Sequence, residues 1–426
     1  MKMKQIRNLF ISLAILALVS LVSYRLGQRN ITQATVISGN GENPVNASLM
    51  SQVLNQLKTK FLEKDKMDNK TMGYGAIQGM VQSLGDPYTV FLPPHQNKSS
   101  NEDLAGKFGG VGISLGYNKD GALSVQSPLP KTPAEKAGVQ AGDVIVHITD
   151  KDNKVDRDTT GIALEEAVNL IRGKVGSQVT LKLYRSGKGD PFDVTLTREN
   201  IEVPSVELVW KEQNGKKIAW IRLYKFTDTL YKNEWADVVD KVIKEKGDNY
   251  GGIVLDLRNN PGGFLQASVM VASDFIKNGV IVKQQSSDGS VETYTVDQSR
   301  GKLLNDKMVV MINGGSASAA EILSGALKDY KRAKLVGEKS FGKGTVQEPI
   351  DFPDGSGLHV TIAKWLLPDG SNIHKVGISP DVEVKYEAPA PTPTPNGKPV
   401  PTPAKTDANS LPDNQLDKAI EVLLSQ

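Results

Sequence analysis

The chain has 426 residues, too many for one small domain and enough for two or three. Hydrophobic content of 39% and charged content of 23% describe an ordinary globular protein, and a net charge of +3 with no basic patch interleaved with aromatics argues against a nucleic-acid partner. Cysteine is absent, which excludes disulfides, Cys₄ zinc sites and thiol catalysis and fits an extracytoplasmic protein.

Lys2, Lys4 and Arg7 precede an apolar run, Leu9 to Val22, that continues weakly through Tyr24 to Leu26. At about 14–18 residues it lies between a signal-peptide core and a spanning helix. Thr32-Gln33-Ala34 is a weak and distant cleavage site, so residues 1–30 are read as an uncleaved signal anchor in preference to a cleaved signal peptide. The expected topology is single-pass in the cell membrane, with everything after Arg25 extracytoplasmic. Cleavage would instead leave a secreted or periplasmic protein.

Residues 31–46 are polar and read as a linker. Residues 47–104 form a helical region. Leu49, Val53, Leu54, Leu57 and Phe61 recur at helical spacing, and a second helix is expected over Met72–Leu84. It stops at Gly85-Asp86-Pro87, and Tyr88–Leu92 leads to a break at Pro93-Pro94.

Residues 105–200 have their own grammar. Strands are expected at KFGGVGISLGY, ALSVQSP, DVIVHI and QVTLKLYR, with helices at PAEKAG and LEEAVNLIRG. This segment resembles a PDZ domain, most closely in PAEKAGVQAGDVIVHI. PDZ domains take up a peptide C-terminus as an added strand and hold its carboxylate on loop N–H groups. The resemblance assigns that loop to Phe108, Gly109, Gly110, Val111 and Gly112, whose glycines let a ligand approach the backbone.

Residues 201–387 read as an α/β core. Ile253-Val254-Leu255 and Met308–Ile312 are buried parallel strands. Each runs into a glycine-bearing turn and then a helix, an order that sets backbone donors at the carboxyl ends of strands. Residues 388–408 are a proline-rich tether and residues 409–426 a short amphipathic helix that must dock to be stable.

The chemistry concentrates in two segments. Ser318 sits among small residues at the start of the second helix, where N–H groups can stabilise an oxyanion. The chain has only four histidines, so a desolvated lysine is the natural base. Lys343 follows in a glycine-flanked loop, with Gln347 four residues on. The N–H of Ala319 and the Gly262-Gly263 turn are the expected oxyanion donors.

The PDZ-like module, DLRNNPGG, GGSASAAE and GKGTVQ occur in the order found in the C-terminal processing peptidases, or tail-specific proteases, and the chain is similar to that family over roughly Ala47–Glu387 and DNQLDKAIEVLL. The resemblance implies a mixed α/β protein: an N-terminal helical segment, a PDZ domain and a crotonase-like α/β peptidase core. It implies an ATP-independent serine endopeptidase without cofactor or metal. Ser318 would be the nucleophile, Lys343 the general base and Gln347 the residue that orients the lysine. Its partners would be protein substrates with exposed C-termini, and the terminal helices suggest a homodimer. Arg172, at the end of a PDZ helix, is assigned a regulatory place between PDZ domain and core.

Other readings are weaker. A Ser-His-Asp triad would need His374 or His359 with Asp256, but Asp256 reads better as a structural partner of Arg258. There is no His-Glu-x-x-His or Walker segment, and Asp150–Asp158 lacks EF-hand spacing. An inactive PDZ scaffold and a crotonase-type acyl-CoA enzyme are the alternative functions.

Overall fold

The computed structural model describes residues 46–387 and 412–426. The anchor or signal segment, the linker up to residue 45 and the proline-rich tether lie outside the described residues. The chain divides into two units after Ile77.

In the first unit, α1 spans Ala47–Lys60. Asn46 caps it by accepting the Leu49 N–H at 2.9 Å. The apolar stripe foreseen here is present and exposed: Leu49, Val53 and Leu57 keep at least 40% of their surface. A second helix, α2, runs Asn69–Gln82, so the division after Ile77 falls within it.

In the second unit β1 (Val90–Leu92) is followed by α3, Pro94–Ala105. The Pro93-Pro94 pair therefore begins a helix where a break was expected. Pro94 occupies the first turn, where a missing N–H costs nothing and the fixed φ suits a helix.

β2 (Lys107–Gly110), β3 (Ile113–Tyr117), β4 (Leu123–Pro128), α4 (Pro133–Lys136), β5 (Val144–Asp150), β6 (Val155–Asp158), α5 (Leu164–Ile171), β7 (Gln178–Tyr184), β8 (Phe192–Thr197) and β9 (Glu199–Glu202) make up the PDZ-like region. Strands β3-β4-β5-β7-β8 form one sheet, with β6 on β5, and β2 pairs separately with β9. Val125, Ile145, Ile148, Leu181 and Leu183 fill an apolar core of its own. Arg198, fully buried, joins the region internally. It donates to Ile171 O and Leu170 O at the end of α5 and forms an ion pair with Asp150 at 2.7 Å.

The remaining strands build two sheets. β10 (Val206–Gln213), β11 (Lys216–Leu223), β12 (Tyr250–Asp256), β15 (Met308–Ile312), β16 (Lys334–Gly337) and β19 (Val382–Glu383) lie side by side in that order, and all but the β10–β11 pair are parallel. A second sheet holds β13 (Val280–Ser286) and β14 (Val291–Thr295). It continues with β17 (Thr345–Asp351) and β18 (Gly357–Leu366), and β1 pairs with β18.

Continuous apolar strands are what a parallel sheet covered on both faces requires. Ile253 and Leu255 of β12 and Val310 of β15 face a core shared with α6 (Trp235–Glu245), α7 (Leu265–Ser273) and α8 (Ala319–Asp329). Val254, Val309 and Met311 face the other way, onto α9 (Asn414–Leu424). Leu416, Ala419, Ile420 and Leu423 are the residues that dock α9, as an isolated eleven-residue helix needs.

Candidate active site

Two strand–turn–helix units meet at the carboxyl ends of β12 and β15. The first turn runs from Asp256 to Phe264 and the second from Asn313 to Ser318. They are stitched together: the Ala317 N–H donates to Asn260 O at 2.9 Å, and Ser316 Oγ donates to Leu257 O at 2.8 Å. Ser316 is thus a buried turn residue. Ser318 stands one residue before α8 with φ 55° and ψ −116°, a conformation that favours glycine.

Gly262 and Gly263 have φ of 97° and 137°. A Cβ on Gly262 would stand 2.8 Å from Ser318 Cβ and 2.9 Å from Ala319 N, so only glycine lets the first turn approach the serine this closely. The two glycines differ in use. The Gly262 N–H is given to Asn260 Oδ1 at 2.9 Å, and its carbonyl accepts from Phe226. The N–H groups of Gly263 and Ala319 have no partner among the described residues and are the pair open to an oxyanion.

Ser318, Ala319, Gly262, Gly263, Lys343 and Gln347 all line one cavity of about 590 Å³. Lys343 reaches it from the loop before β17, and its ammonium lies 5.1 Å from the centre of the Tyr88 ring. Burial lowers the Lys343 pKa, with Asp86 the charge acting in the opposite direction. Gln347 sits on β17, beside a register shift, with its amide nitrogen held by Thr345 and Thr361 hydroxyls at 2.9 and 3.1 Å. Among the described residues no hydrogen bond joins Lys343 Nζ to Ser318 or to Gln347.

His359 lines the same cavity. Burial, with Lys343 as a lesser influence, lowers its pKa, and its Nε2 is buried without a partner among the described residues. Asp256 is elsewhere, bonded to Arg258 at 2.7 Å and to Trp220 Nε1 at 3.2 Å, so the His359–Asp256 pairing of a triad is absent.

One residue of the site escaped sequence reasoning. Glu321, fully buried in the first turn of α8, has one carboxylate oxygen accepting from the N–H groups of Ser318 and Lys343, each at 2.9 Å. The other accepts from Ser340 Oγ at 2.6 Å and the Gly342 N–H at 2.7 Å. One carboxylate therefore ties the serine turn to the lysine loop. The signal was available in Ser318-Ala319-Ala320-Glu321, a Ser-x-x-Glu pattern that marks a helix start.

In the PDZ-like region Phe108, Gly109 and Gly110 belong to β2, leaving Val111-Gly112 as the turn into β3. Backbone carbonyls of this stretch are engaged: Gly109 O accepts from Gly173, Val111 O from Ala134 and Gly112 O from Leu129. The Phe108 ring lies under the Arg172 guanidinium at 3.9 Å, and Arg172 pairs with Asp103 of α3 at 3.3 Å. Arg172 thus links the end of α5 to the helix preceding the PDZ-like region.

Residues 217–384 match peptidase family S41, residues 103–184 a PDZ domain and residues 25–95 the activating protease CtpB N-terminal domain. The carboxy-terminal processing protease CtpA of Bacillus subtilis (strain 168) is 38% identical over 341 residues, 80% of this chain and 69% of that protein. A probable CtpA-like serine protease of Staphylococcus aureus (strain COL) is 37% identical over 384 residues, 88% of this chain and 72% of that one. A solved photosystem II D1 C-terminal processing protease is 32% identical with a TM-score of 0.47, covering 80% of this chain and 89% of its own. The chain belongs to peptidase family S41 and is a PDZ-bearing C-terminal processing serine protease.

Proposed function

We propose that the protein hydrolyses peptide bonds by a Ser318–Lys343 dyad and chooses substrates by their free C-termini. The observation that carries this is the convergence on one cavity of a strained serine, two unpaired N–H groups and a lysine whose pKa is lowered by burial. Neutral Lys343 takes the Ser318 proton as Oγ attacks the scissile carbonyl carbon. The oxyanion receives the Gly263 and Ala319 N–H groups. Protonated Lys343 then gives its proton to the leaving amine, and water attacks the acyl-enzyme with Lys343 again as base. Gln347 orients the lysine through its carboxamide oxygen.

Substrate tails are read by the PDZ domain at the turn after β2, with Arg172 carrying the state of that domain to α3. The catalytic part works outside the cytoplasm, held by the apolar N-terminal segment; of the two terminal helices α9 is docked on its own sheet, so two copies pair through the exposed apolar stripe of α1. No helix among the described residues is long and apolar enough to cross a membrane, so the anchor rests on residues 9–26 alone.

The test is hydrolysis of a denatured protein with an apolar C-terminus. Wild-type cleavage, abolished in Ser318→Ala and weakened by amidating the substrate C-terminus, supports the reading. Cleavage by Ser318→Ala defeats it. His359 favours one second reading, a Ser-His pair. In that case Lys343→Ala would retain activity and His359→Ala would lose it.

A further inference from the structure

The Arg258 side chain is only 12% exposed and lies at the root of the turn that carries Gly262 and Gly263. Its guanidinium is shared between two carboxylates. Towards the core it donates to both oxygens of Asp256, at 3.0 and 2.7 Å. Away from it, it donates to both oxygens of Asp413, again at 3.0 and 2.7 Å, and to Gln415 Oε1 at 3.0 Å. Asp413 lies 155 residues further along the chain, immediately before α9, and caps that helix by accepting the Leu416 N–H at 3.1 Å. Gln415 is fixed in turn by donating to Val384 O at 2.7 Å.

A guanidinium forked between two carboxylates holds a fixed plane, because each bidentate pair restrains the same rigid group. If one carboxylate is removed, a buried cation keeps unpaired donors and must reorient. Arg258 is not free to do so locally. Its own N–H is bound to Asp256 Oδ1 at 3.1 Å, and the next residue, Asn259, is held at φ 58° with its N–H on Asn313 Oδ1. A shift at Arg258 therefore passes through Asn259, Asn260 and Pro261 into the glycines that face Ser318. Burial disfavours ionised Asp413, yet its hydrogen bonds and charge interaction with Arg258 hold its pKa below the usual carboxylate value.

We propose that Asp413 is a positioning residue for hydrolysis: through Arg258 it fixes the turn bearing the Gly263 oxyanion donor. This rests on the Ser318–Lys343 reading. The docked helix α9 is then part of the catalytic apparatus without touching substrate. A 1 Å misplacement of a donor is enough to slow an acyl transfer strongly, so the effect belongs to the transition state and not to substrate binding.

Asp413→Asn separates positioning from mere helix docking, because asparagine caps a helix as well as aspartate does but carries no charge for Arg258. In the full-length protein, kcat should fall about 10-fold with KM unchanged within about twofold. Affinity for a peptide aldehyde, which mimics the tetrahedral intermediate, should fall by the same factor. Hydrogen exchange in α9 should stay slow. Gln415→Ala, which removes one neutral partner, should give a smaller loss of the same kind, and Asp413→Glu should recover part of it. An unchanged kcat in Asp413→Asn overturns the proposal, as does a kcat loss that appears only together with fast exchange in α9. A parallel Ser318→Ala sample keeps the two readings apart: residual cleavage there refutes the dyad, whatever Asp413 does.

Discussion

The two turns that line the candidate active site have the same grammar and opposite construction. Each follows a buried parallel strand, contains a non-glycine residue at positive φ (Asn259 at 58°, Ser318 at 55°) and leads into a helix. The first turn is held by many side chains. Asn260 donates to Leu223 O and accepts from Gly262, Asn259 exchanges bonds with Asn313, and Arg258 is forked between Asp256 and Asp413. The serine end of the second is tied to the lysine loop by the Glu321 carboxylate and one backbone bond, from the Phe341 N–H to Ser316 O at 3.0 Å. Many side-chain ties in the first turn, and one buried carboxylate between Ser318 and Lys343 in the second, mean that damage to the two should differ in kind.

The largest effect tests whether the lysine is the chemical centre. Lys343→Met should lower kcat by at least about 10⁴-fold, and adding Ser318→Ala should cost little more, because the pair acts as a unit. The same substitution should raise thermal stability. The folded pKa of Lys343 is lowered, so between that value and the free value of ~10.4 the unfolded chain binds more protons. Wild-type stability from this group is therefore least below the folded pKa and rises with pH through that window, and Met removes the penalty. A melting temperature that falls in Lys343→Met at pH 7 would show the lysine to be solvated or paired.

Glu321→Gln compares the two turns directly. It keeps the shape but replaces one charged acceptor oxygen by a donor, against two N–H groups or an N–H and a hydroxyl. Turnover should drop about 100-fold. Asn260→Ala in the redundant turn should lower it only about 10-fold and destabilise the fold by about 1–3 kcal/mol through the unpaired Leu223 carbonyl and Gly262 N–H. Kinetics that rank Asn260→Ala as the more damaging would reverse the comparison.

Gly262→Ala tests the contact between the turns. Its Cβ would press on Ser318 and Ala319 at φ 97°, so kcat should fall by roughly tenfold or more while the PDZ region, with its separate core, still binds peptide. Unaltered kcat would place the oxyanion elsewhere. The smallest effect concerns charge. Asp86 favours protonated Lys343, so Asp86→Asn should lower its pKa further and move the rising limb of kcat/KM against pH to lower pH. A limb displaced to higher pH would contradict that sign.

Most elements of the peptidase core were legible because their signals are local. Ile253–Leu255 and Met308–Ile312 are apolar runs too short for helices, and each is followed by a glycine-bearing turn. Ser318, Lys343 and Gln347 could be named from motif order, and the structure brings all three to one cavity. What could not be read depends on distance in the chain. The Asp413–Arg258 fork spans 155 residues, and His359 reaches the cavity only because β18 pairs with β17. Pro93-Pro94 misled because the same residue pair that stops one helix can start the next. Glu321 was hidden for a different reason: an acid in a first turn normally serves its own helix, and here it also serves a loop beyond β16.

Ser318 occupies a backbone conformation that costs an L-residue about 1–3 kcal/mol and is held there by the packing of both turns. Replacement by glycine would relieve it. Like buried Lys343, then, Ser318 is a place where the protein is less stable than some of its neighbours in sequence space. A lineage released from selection for proteolysis would drift towards losing Ser318 and Lys343 first and would gain robustness as it did so. Descendants of this fold that keep the PDZ domain while lacking both residues would be the expected evolutionary residue of that strain.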